Sequence, residues 1–346
     1  MTVNQALRWA RETTSNGFAR ISTKIGYPVI VLLYHRVATL DHDLFQMAVS
    51  PERFREQMAY IAGNYRVLRF EAEWKPERGP AVVITFDDGY VDNYRTALPI
   101  LEELGLPATF FVTTGHVGAA REFWWDELER VFLTTDWLPR RLDIMLGGQR
   151  IAAPTDTLLE RKNAALQVHA LLLKMMPTDR DAAVEAVVSW SGARRSLRDG
   201  YRSMTVEELR ALGNSPGATI GAHTVSHTAL SVLPLDQQRA EILGSKRQLE
   251  EWLGREIATF SYPYGRRRDF TRATASLCNE LGFRRAAAGW AAPVHKWTKP
   301  FNIPRYYVGD WTLDEFCHQL RIPLGLKAIG SKRRLATASH AGHSID

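Results

Sequence analysis

Asp87 and Asp88 stand side by side in TFDDGY, and His223 and His227 bracket HTVSH. Two imidazoles and one carboxylate are the donor set of a three-ligand metal site that keeps a coordination position open, and a second carboxylate beside it is suited to moving a proton. Both motifs follow runs that read as buried strands, AVVITF (81–86) and ATIGA (218–222). Successive side chains of a strand face opposite ways, so the two aspartates can share a site only where the strand has ended and the chain turns, as Gly89 permits. The histidines, four residues apart, fall on one face if a helical turn begins at His223. A third run, IATFS, ends in YPYG, where Pro263 and Gly265 set a turn whose amides can face the same place. Alone, each feature has an ordinary structural reading: a turn, a pair of partly buried histidines, another turn. Their succession at three strand ends is the informative pattern.

The elements that must position these residues alternate. VIVLLYH reads as a buried strand, PERFREQMAYIAGN as a helix with Phe54, Met58 and Ile61 on one face, and AVVITF as the next strand. VDNYRTALPILEELG, closing on glycine, precedes the strand PATFFVTTG; Thr205 and Glu208 form a capping box ahead of ATIGAH; QQRAEILGSKRQLEEWLG precedes IATFS. Repeated strand–helix units predict a parallel sheet covered by helices, and their number predicts a barrel whose site lies at the C-terminal strand ends. From about 121 to 204 the rhythm breaks into segments that read as helical, apart from a strand-like RLDIMLGG: an insertion, expected as a lid or wall over the barrel mouth. The expected organisation is an N-terminal helical extension over 1–27, a barrel over 28–326, and a polar, basic, disordered tail over 327–346.

The chain of 346 residues carries a formal charge of +6, with basic clusters at Arg194, Arg195 and Arg198, at Arg266 to Arg268, and at Lys332 to Arg334. No nucleic-acid-binding motif surrounds them, so the expectation is no nucleic-acid partner but solvated loops or a weak patch for peripheral membrane association, on a surface that could also serve an anionic polymer. The two cysteines lack metal-type spacing and do not form a disulfide framework. The apolar stretch 28–34 is too short to span a bilayer, and the residues before it lack the apolar core of a signal peptide, which sets a cytoplasmic expectation.

The motifs resemble those of the polysaccharide deacetylase family, carbohydrate esterase family 4 or the NodB-homology domain, in its exopolysaccharide-associated branch. TFDDGY is similar to the first motif, HTVSH to the second and FSYPYG to the third; LLYHRV, IPRYYVGDW and the insertion's FWWDEL are similar to segments of that branch. The resemblance covers residues 28–320 outside the insertion. It implies a distorted α/β barrel, (β/α) in type with about seven strands, and a metal-dependent hydrolase that removes the N-acetyl group of an N-acetylhexosamine-containing glycan or lipid-linked sugar. Carried onto this chain, it implies Asp87 as general base and Asp88, His223 and His227 as ligands of a divalent ion, usually zinc. It further implies the Tyr264 backbone N–H as oxyanion donor and Arg305 as the arginine that orients the base. The ion's charge would hold Asp88 ionised and leave Asp87 free to take a proton from water.

One motif of the family, a leucine and a histidine two apart that supply the general acid, has no clean copy. His318, His295 and His35 are the candidates, and the acid stays unassigned. His35, Pro263 and Trp125 are read as substrate contacts, Trp124 and Trp125 as stacking surfaces for sugars, and Asp126 as a helix cap. Two alternatives stand beside the deacetylase: a hydrolase of non-carbohydrate amides or cyclic imides on the same barrel, and a non-catalytic binder of glycan or nucleic acid.

Overall fold

The computed structural model describes residues 28–74 and 80–324; the expected extension over 1–27 and tail over 327–346 lie outside the described residues. Strands β1 (Val29–Tyr34), β2 (Arg66–Leu68), β3 (Ala81–Phe86), β4 (Ala108–Val112), β5 (Ala218–Ala222), β6 (Thr259–Ser261), β7 (Arg285–Ala287) and β8 (Tyr306–Tyr307) form one parallel sheet. The order is β7-β6-β5-β4-β3-β1-β8, with β2 beside the first half of β3. The sheet curls until its ends meet: Ile303 N–H donates to Ala286 O at 3.0 Å, Ala288 N–H donates to Ile303 O at 2.8 Å, and the chain then runs into β8 against β1. The helices are α1 (Pro51–Asn64), α2 (Leu98–Glu103), α3 (Trp124–Glu129), α4 (Leu158–Leu172), α5 (Pro177–Ser191), α6 (Val206–Asn214), α7 (Leu235–Leu253), α8 (Arg272–Glu280) and α9 (Leu313–Leu324). Among the described residues no helix is long and apolar enough to cross a membrane.

Strands buried on both faces read as continuous apolar runs, and here the two faces serve two cores. Ile30, Leu32, Tyr34, Val82, Ile84, Phe86, Phe110, Ile220 and Phe260 face outward to the helices, meeting Phe54, Met58 and Ile61 of α1 among others. Val29, Val31, Val83, Phe111 and Ala287 fill the barrel interior. Continuing the inward parity by two-residue steps leads to Leu33 and His35, to Thr85 and Asp87, to Gly221 and His223, and to Thr259 and Ser261. The strand period therefore delivers the polar residues to one layer at the C-terminal ends. Gly221 makes room beneath them, since a Cβ there would lie 2.5 Å from the Phe111 ring and 2.7 Å from Thr259 Oγ1.

The insertion has its own apolar core, in which Phe123, Trp124, Leu128, Phe132, Val168 and Val187 are buried together, with Tyr90 of the barrel. α4 begins with a Thr157–Glu160 capping box. The segment is less helical than its sequence implies. RLDIML (Arg141–Leu146) is a strand as expected, and it pairs antiparallel with QRIAAP (Gln149–Pro154) across Gly147 and Gly148, both at positive φ. That second strand has only Ile151 and Ala153 facing inward, too little apolar alternation to announce itself.

Candidate active site

Asp87 is the next inward position after Thr85 and is 4% exposed. Its carboxylate accepts two hydrogen bonds from Arg305, Nη1 to Oδ1 at 2.8 Å and Nη2 to Oδ2 at 2.6 Å, and a third from Ser261 Oγ at 3.1 Å. Arg305 is itself 1% exposed and spends its other donors on Ala288 O (2.9 Å), Thr85 Oγ1 (3.2 Å) and Ser261 Oγ (2.8 Å). Burial alone would raise the Asp87 carboxyl, but the Arg305 charge and hydrogen bonds override it and hold the group well below the usual carboxylate range.

Asp88 turns the other way because the chain bends at once: its φ is +77° and that of Gly89 is +86°. Such a conformation costs a non-glycine residue on the order of 1–3 kcal/mol and persists where the surroundings impose it. The bend aims Asp88 Oδ1 at His227 Nε2, 3.1 Å away, and at His223 Nε2, 3.6 Å away. His223 Nδ1 is tied to the Ser261 carbonyl at 2.8 Å, which makes that nitrogen the donor and leaves the Nε2 lone pair facing inward. Burial lowers both imidazoles, His227 to about 3 with help from the Arg180 charge, so both are neutral. Asp88 Oδ1 is buried and, among the described residues, engages in no hydrogen bond. One donor atom from each of Asp88, His223 and His227 falls within a 4.8 Å cluster. Possible ligand atoms converging from two neutral imidazoles and a carboxylate fit a divalent cation.

HTVSH does not begin a helical turn. His223 ends β5, and the return to His227 is a loop in which Thr224 (φ +63°) and His227 (φ +52°) are left-handed. Thr224 Oγ1 accepts from His227 N–H at 3.1 Å, and Glu241 of α7 accepts from Val225 N–H and Ser226 N–H at 2.9 and 2.8 Å. These local hydrogen bonds replace the helical ladder. In YPYG, Gly265 N–H closes on Pro263 O at 2.6 Å and Tyr264 is left-handed at φ +60°. Among the described residues the Tyr264 N–H meets no acceptor. Its ring packs edge-on against His227 at 4.7 Å.

Trp125, read above as a sugar-stacking surface, is 3% exposed: it stacks on Phe123 at 4.5 Å, packs 4.7 Å from His227, and donates its indole N–H to the Tyr90 hydroxyl at 2.7 Å. Its faces belong to the wall behind a candidate ligand, and Trp124 is likewise buried. Pro263, read above as a substrate contact, is buried in its turn. Asp126 caps no helix; it accepts from the Tyr90 hydroxyl at 2.6 Å. His318 is exposed on α9, and His295 follows Val294, which pairs with Val29 at the opposite end of the barrel. His35 lies at the mouth, with Nδ1 buried and unpartnered and its ring 5.7 Å from that of Tyr307; burial lowers its pKa, while the charges of Asp88 and Asp87 oppose the shift. Ser261 and Glu241 escaped the sequence reading. Ser261 was visible in FSYPYG as the last inward position of its strand, whereas Glu241 gave no local signal.

A family model described as polysaccharide deacetylase matches residues 75–134 and 188–286, passing over most of the insertion. YxkH of Bacillus subtilis (strain 168), which bears a polysaccharide deacetylase name, is 31% identical over 108 residues; the match takes in 29% of this chain and 37% of that relative. Among solved structures, IcaB from Ammonifex degensii superposes with a TM-score of 0.56 at 20% identity, covering 87% of this chain and 98% of that one. The Streptococcus pyogenes deacetylase PplD, in complex with acetate, gives 0.54 at 16% identity over 85% and 98%. At such identities the structures speak to the fold, and the sequence matches speak to the motifs. Taken with the barrel that brings those motifs together, they support the polysaccharide deacetylase family for this chain.

Proposed function

We propose that the protein is a metal-dependent N-deacetylase that hydrolyses the N-acetyl group of an N-acetylhexosamine in a glycan or a lipid-linked sugar, releasing acetate. The observation that carries this reading is the division of the two aspartates. Asp87 is locked to Arg305 as an anion, while Asp88 turns to face two neutral imidazoles.

Asp88, His223 and His227 would hold the ion, for which we propose zinc. When bound, it supplies positive charge that polarises the acyl oxygen and acidifies water. The protein does the rest. Asp87, held anionic and aimed by Arg305 and Ser261, accepts the proton of the attacking water. The free N–H of Tyr264 donates to the oxygen on which negative charge develops. As the C–N bond breaks, the sugar nitrogen needs a proton, and His35 is the histidine placed at the mouth to give it, which leaves acetate and a free amine. Burial of the carboxylate layer keeps bulk water from loosening these contacts.

The test is acetate release from a panel of N-acetylated oligosaccharides and lipid-linked sugars, with and without chelator, run beside simple amides and cyclic imides. Release from the sugars that stops on chelation and returns with zinc is the expected result. Turnover confined to the imides, or acetate release that survives both chelation and Asp87→Asn, overturns the proposal.

A further inference from the structure

We infer that Arg180, on helix α5 of the insertion, is a positioning residue that fixes His227 as a metal ligand, so that the insertion completes the metal site and does not merely cover it. The inference rests on the reading of Asp88, His223 and His227 as ligands.

The two histidines are oriented differently. His223 has the usual support of a ligand, its second ring nitrogen bonded to a carbonyl. His227 lacks it, since its Nδ1 is buried with no partner among the described residues. Its ring direction must come from its backbone and from what packs on it, and its backbone is in a left-handed conformation that the loop sequence alone does not favour.

Arg180 supplies the constraint. It is 4% exposed, and its guanidinium donates to three consecutive residues of the loop: to Ser226 O at 2.9 Å, His227 O at 3.3 Å and Thr228 Oγ1 at 3.2 Å. On the other side Glu241 takes the amides of Val225 and Ser226. The loop is thus held through its N–H groups by an anion of the barrel and through its carbonyls by a cation of the insertion. Trp125, also from the insertion, packs on the imidazole. Arg180 lies between the two stretches the family model matches, so its role is not one carried over from the shared motifs.

Zinc affinity of chelator-stripped protein, measured by competition with a chromophoric chelator, reads this directly. Arg180→Met removes every donor while keeping the stem, and is expected to weaken zinc by about 10- to 100-fold, the usual consequence of losing a ligand's supporting partner. Arg180→Lys, which keeps the charge but cannot span three acceptors, is expected to fall between Met and wild type, and it carries the test should the Met variant not fold. Thr205→Ala, a helix-cap change that lowers stability at a residue whose cap hydrogen bonds run to Glu208 and not to the loop, is the control and should leave zinc affinity unchanged. Arg180→Met or Arg180→Lys binding zinc within twofold of wild type, or Thr205→Ala weakening it equally, overturns the inference. Failure of wild-type protein to bind one zinc per chain instead overturns the ligand reading beneath it.

Discussion

Arg305→Met is the substitution whose consequences can be worked out most fully. Five hydrogen bonds converge from one buried guanidinium, two of them on Asp87. Removing it leaves a buried carboxylate with Ser261 as its one remaining side-chain donor among the described residues, and breaking one partner of such a pair costs about 3–5 kcal/mol. Urea melts of chelator-stripped protein at pH 7 should show that loss. The pH dependence has a definite sign. Asp87 is depressed in the folded protein, so its pairing contributes stability that is fully present above the unfolded value near 3.9 and is lost progressively below it as pH falls through the folded value. The gap between wild type and Arg305→Met should therefore narrow below about pH 4. In the variant, burial acts without the Arg305 charge against it and raises the carboxyl, so the acid limb of kcat/KM should move toward neutral pH. Melts within about 0.5 kcal/mol of wild type, the spread of an ordinary surface change, together with an unmoved acid limb, would refute the reasoning.

Three further outcomes follow from the same geometry. His35→Gln should lower kcat by roughly 10²- to 10⁴-fold, the range for loss of general acid–base catalysis, with zinc content unchanged by elemental analysis. Gly265→Ala places a Cβ against the backbone amide of Gly289 at a φ of +63°; thermal melts should show a loss of about 1–3 kcal/mol, and the displaced Tyr264 amide should lower kcat more than it raises KM. Thr205→Ala removes the capping box of α6 and should cost about 1 kcal/mol while leaving acetate release at wild-type rate.

Much of this was legible in the sequence, and the limit lies where contacts become non-local. β1 and β3 are set by uninterrupted apolar runs, and α6 by its Thr205–Glu208 box, because those signals are local. The aspartates and histidines were legible because their residue types have few other uses at a strand end. The fate of HTVSH was not, since the loop's shape depends on Glu241 and Arg180, 14 residues or more away along the chain. Nor was the burial of Trp125: an aromatic on a helix start reads equally well as a surface platform, and only the packing of Phe123 and Tyr90 around it decides. Gln149–Pro154 pairs as a strand because Arg141–Leu146 offers an edge, not because its own residues favour one.

The division of labour between the neighbouring aspartates is tested most directly by measuring zinc content and acetate release on the same preparations of Asp87→Asn and Asp88→Asn. The account predicts that Asp87→Asn retains about one zinc per chain, as wild type does, and loses turnover, whereas Asp88→Asn loses the zinc. Equal zinc retention by the two variants, or turnover persisting in Asp87→Asn, would contradict it.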